Sequence, residues 1–355
     1  MNRLRTMKPA ARQNLISYTL VAAAYLVIRL LQGQGMLSRS IQGQLVPICC
    51  YIVMALSLNL VVGISGELSL GHAGFMSVGA FSGVAAAVSL ESGGVGSPAV
   101  RLVAAMAVGA VLAAAAGFIV GVPALRLQGD YLAIVTLAFG QIIVNILQCV
   151  YLGVDAGGLH FNFLDAELHM EGGVSIISGP KGTVSVTKIA SFTAGFLLIL
   201  VTLAVVQNLV NSRAGRAIMA TRDNRIATAS VGINSTKYRL MAFVVAAALA
   251  GAAGALYGLN YSSVAPSKFD YNTSILVLVF VVLGGLGNMW GSIVAAAFLT
   301  ALPETPAMRG LADYRMLVYA VVLILVMLGT NNPSVQSFLN GKLRRKKRRK
   351  EGAVK

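Results

Sequence analysis

Residues 63–80 read GISGELSLGHAGFMSVGA. Five glycines, Glu67 and His72 interrupt an apolar run in which a continuous helix would otherwise satisfy every backbone group. Unwound backbone is tolerated at membrane depth only where protein covers it or where it lines an aqueous cavity. The stretch therefore reads as a broken membrane helix beside a solute path. That reading makes the whole chain an all-α, polytopic integral membrane protein.

The composition agrees. Of 355 residues, 57% are hydrophobic and 11% charged, about half the charge of a soluble domain. Apolar runs of about 20 residues recur along the chain, the length needed to span a bilayer. Long Ala/Leu/Val runs exclude a β-barrel, whose strands are short and alternating. The net charge of +16 gathers at the N-terminus (Arg3, Arg5, Lys8, Arg12), between Arg213 and Arg239, and in the tail LRRKKRRK at 343–350. Clusters set between apolar spans mark cytoplasmic segments and contact with anionic lipid, and weigh against nucleic acid. Cys49, Cys50 and Cys149 show neither a disulfide pattern nor metal-ligand spacing. The stretch 15–31 follows a basic segment as a signal peptide does, but lacks a clear small-residue cleavage site and is read as a retained span.

Further apolar segments run at about 42–62, 67–90, 100–122, 131–151, 189–210, 238–260, 273–302 and 314–330. With the N-terminus inside, 91–99 and 152–188 fall outside, and the six Lys/Arg residues from Arg213 to Arg239 fall inside. The basic tail would then end outside if 273–302 crossed once. GGLGNMWG at 284–291 breaks that stretch in its middle, and two half-spans return the tail to the cytoplasm. About ten crossing segments are expected, two elements among them broken or half-spanning. The parts are a basic N-terminus (1–14), a transmembrane region (15–330) with an outer loop (152–188) and a cytoplasmic segment (211–237), and a basic tail (331–355).

Freed backbone groups at such breaks can hold a polar solute. Candidate path residues are Asn59, Glu67, Gly71, His72 and Gly74 around the first break, and Gly284, Gly285 and Gly287 around the second. The competing reading is close helix packing, since Gly79/Gly83, Gly254/Gly258 and Gly287/Gly291 form GxxxG pairs. Gln141, Asn145 and Gln148, at i, i+4 and i+7, share one helix face. Three amides there line the path or bond to a neighbouring helix.

Residues 211–237 read NSRAGRAIMATRDNRIATASVGINSTK. Ser212 and Asp223 are expected N-caps, Gly232 a helix stop, and Asn234 or Ser235 the cap of the next span. Two short helices result, with Ala217, Ile218, Met219, Ile226 and Ala227 available for burial and Arg216, Arg222 and Arg225 supplying charge. A segment this long and amphipathic suggests a docking surface for a cytoplasmic partner; a helix lying on the membrane is the alternative. The chain has no GxxxxGK[ST] phosphate loop, HExxH or GxSxG motif. His160 and His169 are read as ordinary loop residues.

LSLNLVVGISGELSLGHAGFMSVGA (56–80) and GRAIMATRDNRIATASVGINSTKYRLMAFVVAAALAGAAGALYG (215–258) resemble the branched-chain amino acid ABC-importer permeases, the LivM/LivH family, and the LivM branch more closely. YLAIVTLAFG (131–140), SGPKG (178–182), FDYNTSILVLVFVVLGGLGNMWG (269–291) and LADYRMLVYAVVLILVML (311–328) follow in the expected order. The resemblance implies an inner-membrane transport subunit that is not an enzyme and carries no cofactor. It also implies pairing with a second permease, two cytoplasmic ATPase subunits that bind the ATP, and an external solute-binding protein. It implies that Gly215, Arg216, Arg222, Asp223, Arg225 and Gly232 couple the chain to the ATPases. The chain departs from the family's acid-x-x-Arg pattern at Gln141 and Val144, and relatives for urea or short amides share the same signatures. A gradient-driven carrier is the main rival, with Glu67 its one serious coupling carboxylate; a membrane enzyme is a distant third.

Overall fold

The computed structural model describes residues 9–34, 39–127, 129–155, 158–164, 173–184 and 186–302, together with 317, 321 and 324. The rest of the expected span at 314–330, the basic tail, Arg3, Arg5, Lys8 and His169 lie outside them. Ala301 closes one compact unit, to which all that follows belongs. Among the described residues, seven helices are long and apolar enough to cross a membrane, and two shorter apolar helices accompany them.

Helix α1 (Pro9–Gly33) leads to α2 (Arg39–Asn59), which ends in a π-turn, Leu60–Ile64. Helices α3 (His72–Ser92), α4 (Pro98–Ala124) and α5 (Asp130–Gln148) follow. Three short strands, β1 (Val150–Asp155), β2 (Gly158–Phe163) and β3 (Val174–Ser178), precede α6 (Phe192–Asn211). Two short helices, α7 (Arg213–Asp223) and α8 (Arg225–Ser230), lie before α9 (Ser235–Gly258). Helix α10 (Tyr271–Gly284), which a 3-10 turn at Pro266–Phe269 extends to membrane-spanning length, and the shorter α11 (Met289–Ala301) complete the unit.

Lipid tails are as apolar as leucine, so helices associate in a membrane mainly through close packing, which small residues permit. The centre of the bundle is built that way. A Cβ on Gly79 would overlap the Gly251 backbone, and one on Gly254 would overlap the Met76 carbonyl. A Cβ on Gly83 would lie 2.5 Å from Ala255 Cβ. Helices α3, α4 and α9 therefore meet backbone to backbone. The pairs Gly79/Gly83 and Gly254/Gly258 are packing motifs, as their spacing predicts. Gly287/Gly291 is not one: Gly287 sits in the turn between α10 and α11 at φ +80°, and Gly291 abuts Gly284. The spacing is right, but the helix it presumes is absent there.

The expected outer loop carries structure of its own. β1 pairs with β2 and β3 in an antiparallel sheet ordered β2-β1-β3. Leu159, Phe161 and Phe163 alternate along β2 and are exposed. That period of two is the strand signal in the sequence. At this end buried Arg101 donates to Ala87 O (3.2 Å) and Thr187 Oγ1 (2.9 Å) and pairs with Glu91. The opposite end carries α7 and α8 with their arginines, and the candidate site lies there.

Candidate functional site

The π-turn ends α2 with wide, i to i+5 bonding: Ser65 N donates to Leu60 O at 3.0 Å. Gly66, at φ +75°, reverses the chain, and Ser65–Gly71 runs without regular structure to His72. The first interruption thus falls between two long helices, whereas the second separates α10, which ends the 19-residue span Pro266–Gly284, from the shorter α11. Leu70 N donates to Thr136 Oγ1 of α5 (3.1 Å), and Ala73 N, in the first turn of α3, donates to Ser274 Oγ of α10 (3.0 Å). Two backbone donors that the missing helix would have satisfied are thereby met by neighbouring side chains.

His72 is buried, with Nε2 2.8 Å from Ser57 Oγ. Gly71 and Gly74 face α5: a Cβ on Gly71 would overlap Thr136 O, and one on Gly74 would lie 2.8 Å from Gly140 Cα. Both therefore allow close backbone approach, with no open space beside them.

Asn59 joins the two breaks. It is fully buried; its Oδ1 accepts from Gly287 N at 2.8 Å, and its Nδ2 donates to Ser292 Oγ at 3.0 Å. A Cβ on Gly63 would overlap both Asn59 Oδ1 and Gly287 N. Gly285 and Gly287, at φ +93° and +80°, make the turn between α10 and α11, and Gly284 ends α10 against Gly291.

The basic segment reaches the same place. Ser212 caps α7 through Gly215 N (3.1 Å), and a Cβ on Gly215 would overlap the Val210 carbonyl. The next cap is Asn224, which accepts from Ala227 N at 3.0 Å, and not Asp223, which ends α7. Either side chain can cap; the chain turns one residue later than the apolar pattern suggests. Gly232, at φ +82°, follows the end of α8, and Asn234 caps α9. Ala217 and Ile218 are buried as expected, but Ile226 is 84% exposed and Ala227 is exposed too. Arg216 and Asp223 face outward.

Arg222 Nη1 donates to Gly63 O at 2.6 Å, placing a cation on the carbonyl end of α2. Helix C-termini carry partial negative charge, so the contact is favourable. Beside it, buried Arg239 of α9 pairs with Glu67. Glu67 and Arg239 border a polar cavity of about 360 Å³, whose lining also includes Gly66, Asp130, Thr221 and Arg225. Arg222 packs against Gly66, where an added Cβ would lie 2.8 Å from its Cγ.

Glu67, read as a path residue, and Arg222, read as a coupling residue, therefore belong to one joint. Arg239 escaped the sequence reading, although an arginine in the first turn of an apolar span calls for an acidic partner. Ser57, Thr136, Ser274 and Ser292 escaped it too, because isolated hydroxyls in helices carry no pattern. The amide face stands apart: Gln141 Nε2 lies 3.4 Å from exposed Asn145 Oδ1, and Gln148 is half-buried near the sheet end of α5.

A bundle of long apolar helices whose two interruptions are joined by Asn59, beside a basic, partly exposed helical segment, defines a multi-pass membrane protein. The chain belongs to the family described as "Branched-chain amino acid transport system / permease component", which matches residues 40–327. It is 35% identical over 289 residues to the high-affinity branched-chain amino acid transport permease LivM of Salmonella typhimurium, covering 78% of this chain and 66% of that protein. It thus spans just under two thirds of that relative's length. BraD of Pseudomonas aeruginosa, a permease of the same description, is 27% identical over 78% of this chain and 89% of its own. The ribose import permease RbsC of Escherichia coli is 26% identical over 79% and 81%. No solved structure matches.

Proposed function

We propose that the chain is the membrane-spanning subunit of an ATP-binding-cassette importer that moves branched-chain or related hydrophobic amino acids across a bacterial inner membrane. The observation that carries this reading is the α7–α8 segment. One face, with Gly215, Ala217, Ile218 and Thr221, is buried against the bundle. Elsewhere on the segment Ile226 and Val231 are exposed, as are Arg216 and Asp223. Large apolar side chains held out of the bundle on a charged segment suit a protein interface. The chain's own buried joint lies directly behind it. Two cytoplasmic ATPase subunits are the partners this surface fits, and they bind and hydrolyse the ATP. Both termini then lie in the cytoplasm.

The amide face of α5 suits the solute path. Amides exposed on the perimeter of a membrane helix need partners or water, and a second, homologous permease meeting α5 supplies both. At the opposite end, the exposed apolar residues of β2 suit an external solute-binding protein. LivM and BraD support the amino-acid assignment; urea and short amides are the alternative solutes. In a gradient-driven carrier Glu67 would be the coupling carboxylate, and its engagement with Arg239 weighs against that reading.

The test is purification from the native membrane in mild detergent, followed by uptake in proteoliposomes. ATPase subunits co-purify with the wild-type chain, and Ile226→Asp reduces their recovery at least about tenfold, the effect of losing one apolar anchor at the centre of an interface. ATP-driven uptake of leucine exceeds that of urea and ribose. A transport-competent chain with no ATPase attached would overturn the importer reading.

A further inference from the structure

We propose that Asn59 is a positioning residue for transport, the link through which the coupling segment moves the α10–α11 turn. This rests on the importer reading above. The link is continuous and directional. Arg222 Nη1 donates to Gly63 O (2.6 Å), and Gly63 is packed so tightly against Asn59 and Gly287 that no Cβ fits between them. Gly287 N can only donate, so it fixes which end of the Asn59 amide is Oδ1. The other end donates to Ser292 Oγ, whose own proton goes to Asn288 O at 3.1 Å. Every donor and acceptor in the chain has one compatible direction.

Its position distinguishes it from ordinary core bonding. At one end stands a π-turn, a helix irregularity that recurs at functional sites. At the other stands a four-residue turn whose glycines hold positive φ. Both are short stretches of irregular backbone that abut through Gly63 and Gly287. Displacement of α7 carries Arg222 with it, and through Arg222 the Gly63 carbonyl. Asn59 converts that into displacement of Gly287 and Ser292, at the junction of α10 and α11. Among the described residues α7 shares no substantial contact with α10 or α11 and reaches them through the π-turn and α2, and this chain is the hydrogen-bonded part of that route.

The test compares solute moved per ATP hydrolysed in the reconstituted full complex. Three variants break the chain at different links: Arg222→Met, Asn59→Leu and Ser292→Ala. Each assembled complex is expected to move about tenfold fewer solute molecules per ATP, the size of effect expected when one coupling hydrogen bond is lost. Ser77→Ala, which removes a buried hydroxyl bonded to Gly74 O outside the chain, is the control for general destabilisation and leaves the ratio unchanged. Arg222 is at an exposed position where folding tolerates substitution, so the test survives misfolding of the two buried variants. An unchanged ratio in any assembled chain-breaking variant would overturn the link. Absence of ATPase subunits from the wild-type preparation is a different result: it would remove the importer reading, and the link with it.

Discussion

Glu67→Ala is expected to destabilise the protein by about 3–5 kcal/mol, the cost of stripping one partner from a buried ion pair. Arg239 is 4% exposed, and neither its Nε nor its Nη1 has a hydrogen-bond partner among the described residues. Glu67 is therefore its principal compensation. Without it, a guanidinium that cannot lose its proton is left at the root of α9. Thermal unfolding in detergent reads the loss. The double variant Glu67→Gln, Arg239→Met removes both charges and is expected to recover more than half of it. A single variant as stable as wild type, or a double variant no better than the single one, would show that the pair holds nothing together. Uptake by the double variant in the ATPase-containing complex then separates two roles. If the pair only anchors the Ser65–Gly71 loop, transport persists. If Glu67 carries a proton, transport stops even though the protein is folded.

That joint also marks how far the sequence could be read. The spans, the two interruptions and the short helices α7 and α8 were legible because each is a local pattern: apolar length, clustered glycine, or a cap followed by an amphipathic run. The second interruption was also suggested by charge parity, since a tail with seven consecutive basic residues from Arg344 to Lys350 resists being placed outside. What stayed hidden is what lies between elements. Asn59 and Gly287 are 228 positions apart in the chain, and Arg222 and Gly63 are 159 apart. No periodicity links them. Glu67 and Arg222 accordingly fell into separate functional groups in the sequence, though they border the same few ångströms. The small sheet was missed for another reason: in a chain dominated by long apolar helices, three alternating residues of β2 are a weak signal. Exposure of Ile226 was equally illegible, because in sequence an exposed apolar residue looks like one kept for the core.

The glycines of α3 and α9 yield the second large effect, and its sign depends on place alone. Gly254→Ala adds one methyl group, and that methyl falls on the Met76 carbonyl and within 2.9 Å of Ala80 N. These are backbone atoms inside a continuous helix and cannot swing aside as a side chain would. Overpacking a core typically costs about 1–3 kcal/mol, and here the strain goes directly into the separation of α3 and α9. The expected cost is at or above the top of that range, seen as loss of monodisperse protein on size-exclusion chromatography; Gly254→Val costs more. Gly43→Ala is the same chemical change on α2, where nothing lies within 4 Å. There the methyl meets no neighbour, and removing a helix-interior glycine is expected to stabilise by about 0.5–1 kcal/mol. Equal effects at the two positions would mean that α3 and α9 are not in backbone contact. The contrast bears on mechanism as well as stability. Helices that meet backbone to backbone cannot slide without opening voids that a dense interior does not tolerate. Movement in the bundle must then be taken up where regular backbone ends, at Leu60–Gly71 and at Gly285–Asn288, the two places that Asn59 ties together.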